Sequence, residues 1–109
     1  MTTFKLDLNA DTNGTSLQSY VDTNYADLHK LFGEPQGCDG YKVSGEWTFV
    51  DPKGNVVTLY DWKSTSLYDS DYPSIETFRA SPRATFNIGG NSPEAAINFS
   101  NWLHTKLSA

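Results

Sequence analysis

The chain has 109 residues, and its eight Lys and Arg against thirteen Asp and Glu give a formal charge of −5 at pH 7. Hydrophobic residues make up 38% and charged residues 19%, which is typical of a folded protein and fits one domain over residues 1–109. The acidic balance argues against a duplex-DNA binder, and apolar runs of at most three residues exclude a membrane-spanning helix.

The first third of the chain predicts a strand followed by helix. Residues 4–8 alternate between apolar and polar side chains, as in a half-buried strand. In residues 16–32 the apolar spacing changes to three and four, which predicts one interrupted helix or two consecutive short ones. Thr23 is placed to cap the second stretch, and Gly33 with Pro35 beyond it ends the helix.

The clearest signal is a β-hairpin over residues 41–62. Residues 41–50 largely alternate, with Tyr41, Val43, Trp47 and Phe49 on one side, and residues 56–62 are rich in β-branched and aromatic side chains. The connection Asp51-Pro52-Lys53-Gly54 has the sequence of a type I turn closed by a glycine bulge. We therefore expect an antiparallel hairpin at the centre of a sheet.

The last part of the chain predicts a loop, a strand and a helix. Residues 63–82 are polar and aromatic with two prolines, and we interpret them mostly as a loop. Residues 84–88 form a short strand ended by two glycines, and Ser92 caps the terminal helix. These elements predict an α+β fold, with a three- to four-stranded antiparallel sheet and two helical segments packed on one face. The predicted core residues are Leu28, Leu31, Phe32, Val43, Phe49, Phe99 and Leu103.

A partner-binding site is predicted in the long loop, where tyrosines and acids alternate. Tyrosines supply large contact areas, and carboxylates engage basic surfaces. A solvated, idle loop explains the same residues equally well, and a calcium site lacks the downstream Gly and Glu that it needs. The candidate partner-binding residues are Tyr68, Asp69, Asp71, Tyr72 and Glu76.

A small-ligand site is the alternative. The glycines before the terminal helix could place free N–H groups and a helix N-terminus beside an anion, although a tight turn into a capped helix is the simpler interpretation, which we favour. Nearby aromatic residues would stack on the ligand. The candidate ligand-binding residues are Trp47, Tyr60, Trp62, Gly89 and Gly90. On this hypothesis Gly89→Val abolishes binding without unfolding the domain.

Catalytic groups are not brought together by any pattern in the sequence. Cys38 is the single cysteine, and no spacing ties it to His29 or His104 as a base or as a metal ligand. Glu46 and Asp61 are interpreted as solvated charges on the sheet surface. We therefore expect a protein that is not an enzyme and that uses no metal or cofactor.

Several short motifs stand out in the sequence: Asp27-Leu28, Phe32-Gly33-Glu34-Pro35, Tyr41 to Trp47, Val57 to Lys63 and Ile88-Gly89-Gly90. Together they resemble motifs of small uncharacterised proteins encoded by bacteriophages. One departure is Phe86, where those proteins carry Trp. The resemblance implies a viral accessory role in the cytoplasm of an infected bacterium. Small acidic phage proteins of this kind often bind and block a host component, including CRISPR effectors.

The leading hypothesis is thus a non-enzymatic binding protein that inhibits or redirects a host protein with a basic surface. The alternatives are a protein that binds a small molecule such as a nucleotide signal, or a minor virion component. The oligomeric state is left open by the sequence.

Overall fold

A computed structural model describes residues 3–12, 14–36, 45–61 and 70–108. Within these ranges the chain forms β1 (Lys5–Leu6), β2 (Ser16–Thr23), α1 (Tyr25–Phe32), β3 (Glu46–Val50), β4 (Val56–Tyr60), α2 (Ile75–Ala80), β5 (Ala84–Gly90) and α3 (Pro93–Leu107). The predicted α+β class with an antiparallel sheet is confirmed. The described residues form five strands rather than three or four, and three helices rather than two.

The sheet has the strand order β1-β3-β4-β5-β2, and every neighbouring pair is antiparallel. β3 and β4 form the predicted hairpin in the interior of the sheet, with Glu46 opposite Tyr60. In the turn that joins β3 to β4, the Gly54 N–H donates to the Asp51 carbonyl at 3.0 Å. Gly54 has a φ of 85°, a backbone conformation that favours glycine. The hairpin prediction is confirmed for these strands, while residues 41–44 and 62 lie outside the described residues.

The helix predicted over residues 16–23 is wrong, because this segment is strand β2 paired along β5. A β-bulge between Leu17 and Ser19 inserts one extra residue into β2. The bulge places Leu17 and Tyr20 on the same face of the sheet although they are three residues apart. Apolar residues three positions apart are also typical of one face of a helix, which is why the sequence predicted a helix here. Only the second predicted stretch is helical, as α1, and its N-cap is Asn24 rather than Thr23.

The two faces of the sheet have different environments. On one, which we call the helical face, Phe49 contacts Phe32 of α1 and Phe99 of α3, each with ring centroids 4.9 Å apart. Phe78 of α2 contacts Phe86 of β5 on the same face. All three helices therefore pack on one side of the sheet, as predicted for two. The opposite side, which we call the second face, carries Thr48, Thr58, Asn87 and Gly89, all of them buried.

Most of the predicted core is confirmed. Four of the predicted residues are buried: Leu28, Phe49, Phe99 and Leu103. Phe32 is partly buried and packs against the core. The prediction for Leu31 is wrong, because α1 packs through Leu28 and Phe32, and Leu31 lies on its flank with 39% of its surface exposed. Val43 lies outside the described residues.

The long loop predicted over residues 63–82 contains a helix, α2, within its described part. Ser74 caps α2 by accepting a hydrogen bond from the Thr77 N–H at 3.1 Å. Phe78 is buried against the sheet, and this tertiary contact stabilises a helix that is too short to be stable alone. Residues 62–69 lie outside the described residues.

The hairpin turn is held by Asp51, which is buried. Its Oδ1 accepts hydrogen bonds from the N–H groups of Lys53 and Asn55, both at 2.9 Å, and its Oδ2 accepts one from Asn55 Nδ2 at 3.0 Å. Burial raises the pKa of this carboxyl, but the hydrogen bonds from Asn55 and Lys53 outweigh burial and hold the pKa below its ordinary value of 3.8.

We therefore expect Asp51→Asn to lower stability at neutral pH and to weaken the pH dependence of unfolding in acid. Since the folded-state pKa lies below 3.8, the ionised carboxylate contributes its full stability above pH 3.8 and loses it as pH falls through the lower, folded value. The loss at pH 7 is about 1–3 kcal/mol. Urea unfolding at pH 7 and pH 3 measures both effects, with Glu94→Gln as a surface control. An acid-side slope unchanged by Asp51→Asn would contradict this role.

Candidate functional site

Three of the five predicted partner-binding residues lie around the N-terminal end of α2. Asp71 and Tyr72 precede the Ser74 N-cap, and Glu76 lies in the first turn of the helix. All three are exposed, and Tyr72 has 42% of its surface accessible to solvent. Tyr68 and Asp69 lie outside the described residues. The structure thus places the described part of the predicted site on a surface that a partner can reach.

Glu76 also lines an open groove of about 570 Å³ between α1 and α2. We call it the α1–α2 groove. The residues that line it are Tyr25, Ala26, His29, Glu34, Glu76, Arg79 and Ala80. Only Glu76 among them belongs to the predicted site, so the groove extends that site onto residues that the sequence analysis did not identify.

The groove is organised around the carboxylate of Glu34. Its Oε2 lies 2.9 Å from His29 Nε2, and its Oε1 lies 3.7 Å from Arg79 Nη1. The Tyr25 hydroxyl donates to the same Oε1 at 3.5 Å. Because Glu34 and His29 are largely exposed, these contacts orient the side chains and add little stability.

Arg79 shows what kind of side chain the groove accommodates. Its guanidinium lies over the Tyr25 ring, 4.5 Å from the ring centroid, in a cation–π contact. Burial raises the pKa of the Tyr25 phenol and Glu34 raises it further, while the Arg79 charge acts in the opposite direction. The phenol therefore stays protonated at neutral pH and can donate to Glu34. An aromatic ring with an acceptor beside it is a suitable site for a cation.

The α2 wall of the groove carries one acid, Glu76, and one base, Arg79. In the described part of the chain, ion pairs involve Glu34 with His29 and with Arg79, and none involves Glu76. Glu76 lies one turn before Arg79 on α2, and Asp71 lies just upstream. The N-terminal end of α2 therefore combines two acids with an exposed tyrosine, which is the chemistry of a surface that meets basic groups.

The alternative ligand-binding residues do not share one site. Trp47 lies on the helical face with 1% of its surface exposed, and its indole N–H donates to the Gly33 carbonyl at 3.0 Å. Tyr60 and Gly89 lie on the opposite, second face, where Tyr60 Cε1 is 3.4 Å from the position of a Cβ on Gly89. Gly90 alternates back to the helical face, and Trp62 lies outside the described residues.

The two glycines do not end strand β5, as the sequence analysis predicted, but form its last two residues. Gly89 is opposite Thr58, and a Cβ at Gly89 would lie 2.6 Å from Thr58 Oγ1. Glycine is therefore favoured by the close approach of the Thr58 side chain on the neighbouring strand, and no anion is needed to explain it. The turn follows at Asn91, and Ser92 caps α3 as predicted by accepting from the Ala95 N–H at 3.3 Å.

Asp61 was expected to be a solvated charge, and this expectation is wrong. Its side chain is buried with 2% of its surface exposed, and its Oδ1 accepts a hydrogen bond from the Gly45 N–H at 2.9 Å. The contact joins the ends of the two hairpin strands. Asp61 is therefore part of the hairpin structure rather than of a surface that binds a partner.

Comparison with known proteins adds no relative: no family model matches the chain, and no curated protein matches it significantly. Within the described ranges, no group of three or more His, Cys, Asp and Glu side chains is placed to hold a metal ion. The helices in those ranges are too short or too polar to cross a membrane.

Proposed function

We propose that this chain is a non-enzymatic binding protein that inhibits or redirects a partner protein with a basic surface. In keeping with the resemblance to bacteriophage accessory proteins, the partner is a host protein in the cytoplasm of an infected bacterium. The observation that carries the proposal is the acidic and aromatic surface made by Asp71, Tyr72 and Glu76 beside the α1–α2 groove.

The groove supports recognition of a lysine or arginine side chain. Arg79 already occupies part of it, stacked on Tyr25 and paired with Glu34. Glu76 lies on the same wall and is exposed. An incoming cationic side chain would contact the Glu76 carboxylate while its aliphatic stem packs along the small Ala26 and Ala80.

Tyrosine and the acids would contribute differently to binding. Exposed carboxylates at the edge of an interface attract a basic partner over distance and chiefly raise the association rate. An aromatic side chain that becomes desolvated contributes to the lifetime of the complex. We therefore assign steering to Asp71 and Glu76, and anchoring to Tyr72.

Glu76→Gln should slow association with the captured host protein, and Glu94→Gln should leave it unchanged. Both residues are exposed glutamates in the first turn of a helix, so the two variants lose the same charge in the same setting. Tyr72→Ala should instead speed dissociation and cost about 1–3 kcal/mol of binding free energy. The partner is captured from host lysate with the immobilised wild-type protein and identified by mass spectrometry. Its binding to each purified variant is then followed by surface plasmon resonance at several salt concentrations.

The salt series separates the two roles. The wild-type association rate should fall as salt rises, and the Glu76→Gln rate should fall less steeply. Neither variant should change the melting temperature much, because both positions are exposed. If the folded Tyr72→Ala/Glu76→Gln double variant bound the partner as the wild type does, this surface would be excluded as the binding site.

A further inference from the structure

Strand β2 lies at the edge of the sheet, and in the described residues no strand follows it on its outer side. The Asn91 N–H donates to the Val56 carbonyl at 3.3 Å, just beyond the end of β5. Because the backbone groups of successive residues in a strand point to opposite neighbours, the odd-numbered residues of β5 bond to β4 and the even-numbered residues bond to β2. Residue 86 is opposite Val21, so Val21 bonds inward to β5. Tyr20 and Asp22 therefore direct their backbone N–H and C=O groups outward.

Apolar side chains flank this open edge on both sides of the sheet. On the second face, Leu17 has 46% and Tyr20 has 60% of its surface exposed. On the helical face, Ile97 of α3 has 64% of its surface exposed. It lines a groove of about 260 Å³ between α3 and β2, together with Gln18, Ser19, Ala96, Ser100 and Asn101. An edge strand with exposed apolar neighbours is a template for pairing with another strand.

The charges of this edge favour a second copy of the chain over a basic partner. Neither the residues that line the groove nor the residues of β2 include a Lys or Arg, and Asp22 is their single acid. A basic partner would be recognised by a cluster of acids, which this edge lacks. In a protein of charge −5, by contrast, a nearly neutral edge is a surface on which two like-charged copies can approach each other with little repulsion.

We propose that β2 pairs antiparallel with β2 of a second copy, joining the two five-stranded sheets into one in a symmetric dimer. The unbulged stretch of residues 19–23 sets the register, with the twofold axis at Val21. Tyr20 of each copy then lies opposite Asp22 of the other, and their outward N–H and C=O groups bond to each other. The axis is perpendicular to the sheet, so both α3 helices lie on one side and their Ile97 side chains flank the seam.

The mass in solution tests the dimer. Sedimentation equilibrium of the wild-type protein should give twice the 12.1 kDa of one chain. Tyr20→Pro removes an N–H that points outward, so it leaves the bonds to β5 in place and should raise the dissociation constant of the dimer by about tenfold or more. Ile97→Lys should act in the same direction by placing two like charges beside the seam. Leu31→Lys, an equal change at an exposed apolar residue on α1, should leave the dimer intact.

Cysteine crosslinking tests the register. In a Cys38→Ser background, Val21→Cys should form an intermolecular disulfide on mild oxidation. Directly opposed residues of an antiparallel pair that lack mutual hydrogen bonds have Cα atoms about 4.5 Å apart, within the reach of a disulfide. Leu31→Cys in the same background should remain uncrosslinked. A wild-type protein that is monomeric, or a dimer that neither Tyr20→Pro nor Ile97→Lys weakens while circular dichroism shows both variants folded, would overturn the proposal.

Discussion

Phe99→Ala is expected to lower the free energy of unfolding by about 3–5 kcal/mol. Phe99 lies on α3 and is completely buried. Its ring centroid is 4.9 Å from that of Phe49 and 5.2 Å from that of Phe4, so it joins the helix to β3 and to the segment before β1. Alanine would leave a cavity between these rings, and the surrounding aromatic side chains can close it only in part.

Urea unfolding followed by circular dichroism measures this loss. His104→Ala is the matched control, because His104 lies on the same helix, is exposed and lies outside the proposed dimer surface, so this change should alter stability little. An unfolding midpoint for Phe99→Ala equal to that of the control would mean that α3 does not pack on the sheet through this face.

Gly89→Val is expected to destabilise the fold by about 3 kcal/mol, the upper end of the usual range for an overpacked interior. A Cβ at this position would lie 2.6 Å from Thr58 Oγ1 and 3.4 Å from both the Ser16 carbonyl oxygen and Tyr60 Cε1. The two methyl groups of valine would add further overlap with the strands on either side. The small-ligand hypothesis required Gly89→Val to abolish binding without unfolding the domain. Because we expect this substitution to destabilise the fold, it cannot separate ligand binding from folding.

The matched control is Thr85→Val, which introduces the same side chain on the same face of β5 at an exposed position. It removes one hydrogen bond, from Thr85 Oγ1 to Asp22 Oδ1, and we expect a loss of about 1 kcal/mol or less. Thermal melting of both variants provides the comparison. A Gly89→Val protein as stable as Thr85→Val would show that the second face has room for a side chain, and would restore the ligand hypothesis at this position.

The two proposed surfaces can be tested separately. The partner-binding surface lies at the N-terminal end of α2 and along the α1–α2 groove, whereas the proposed dimer surface lies on β2 and α3. Tyr20→Pro should therefore disrupt the dimer without removing the acids or Tyr72. Glu76→Gln should slow association with the partner without changing the mass of the protein in solution.

Some elements of the fold could be predicted from local sequence because neighbouring residues determine them. The alternation of residues 46–50 and the Asp51-Pro52-Lys53-Gly54 turn predict the β3–β4 hairpin. Ser92 followed by proline and glutamate predicts the start of α3. In each case the hydrogen bonds that define the element join residues close together in the chain.

Other features depend on residues that are far apart in the chain, and the tertiary structure decided them. β2 is a strand because β5 pairs with it some seventy residues later, and its bulge conceals the strand alternation in the sequence. α2 is stable as a helix because Phe78 is buried against the sheet. Asp61 can be buried because the Gly45 N–H donates a hydrogen bond to its carboxylate.

The candidate site shows the same division. The exposed acids and tyrosine before and within α2 are local, and the composition of residues 68–76 predicts a surface that binds a basic partner. The groove beside them exists only because Arg79 of α2 meets Tyr25 of α1 and the nearby Glu34. Contacts between residues so far apart depend on the packing of the helices on the sheet, where Leu28 and Phe78 are buried. For this protein, sequence by itself determined the hairpin, the capped terminal helix and the acidic character of the site, whereas long-range packing decided the edge strand, the second helix and the groove.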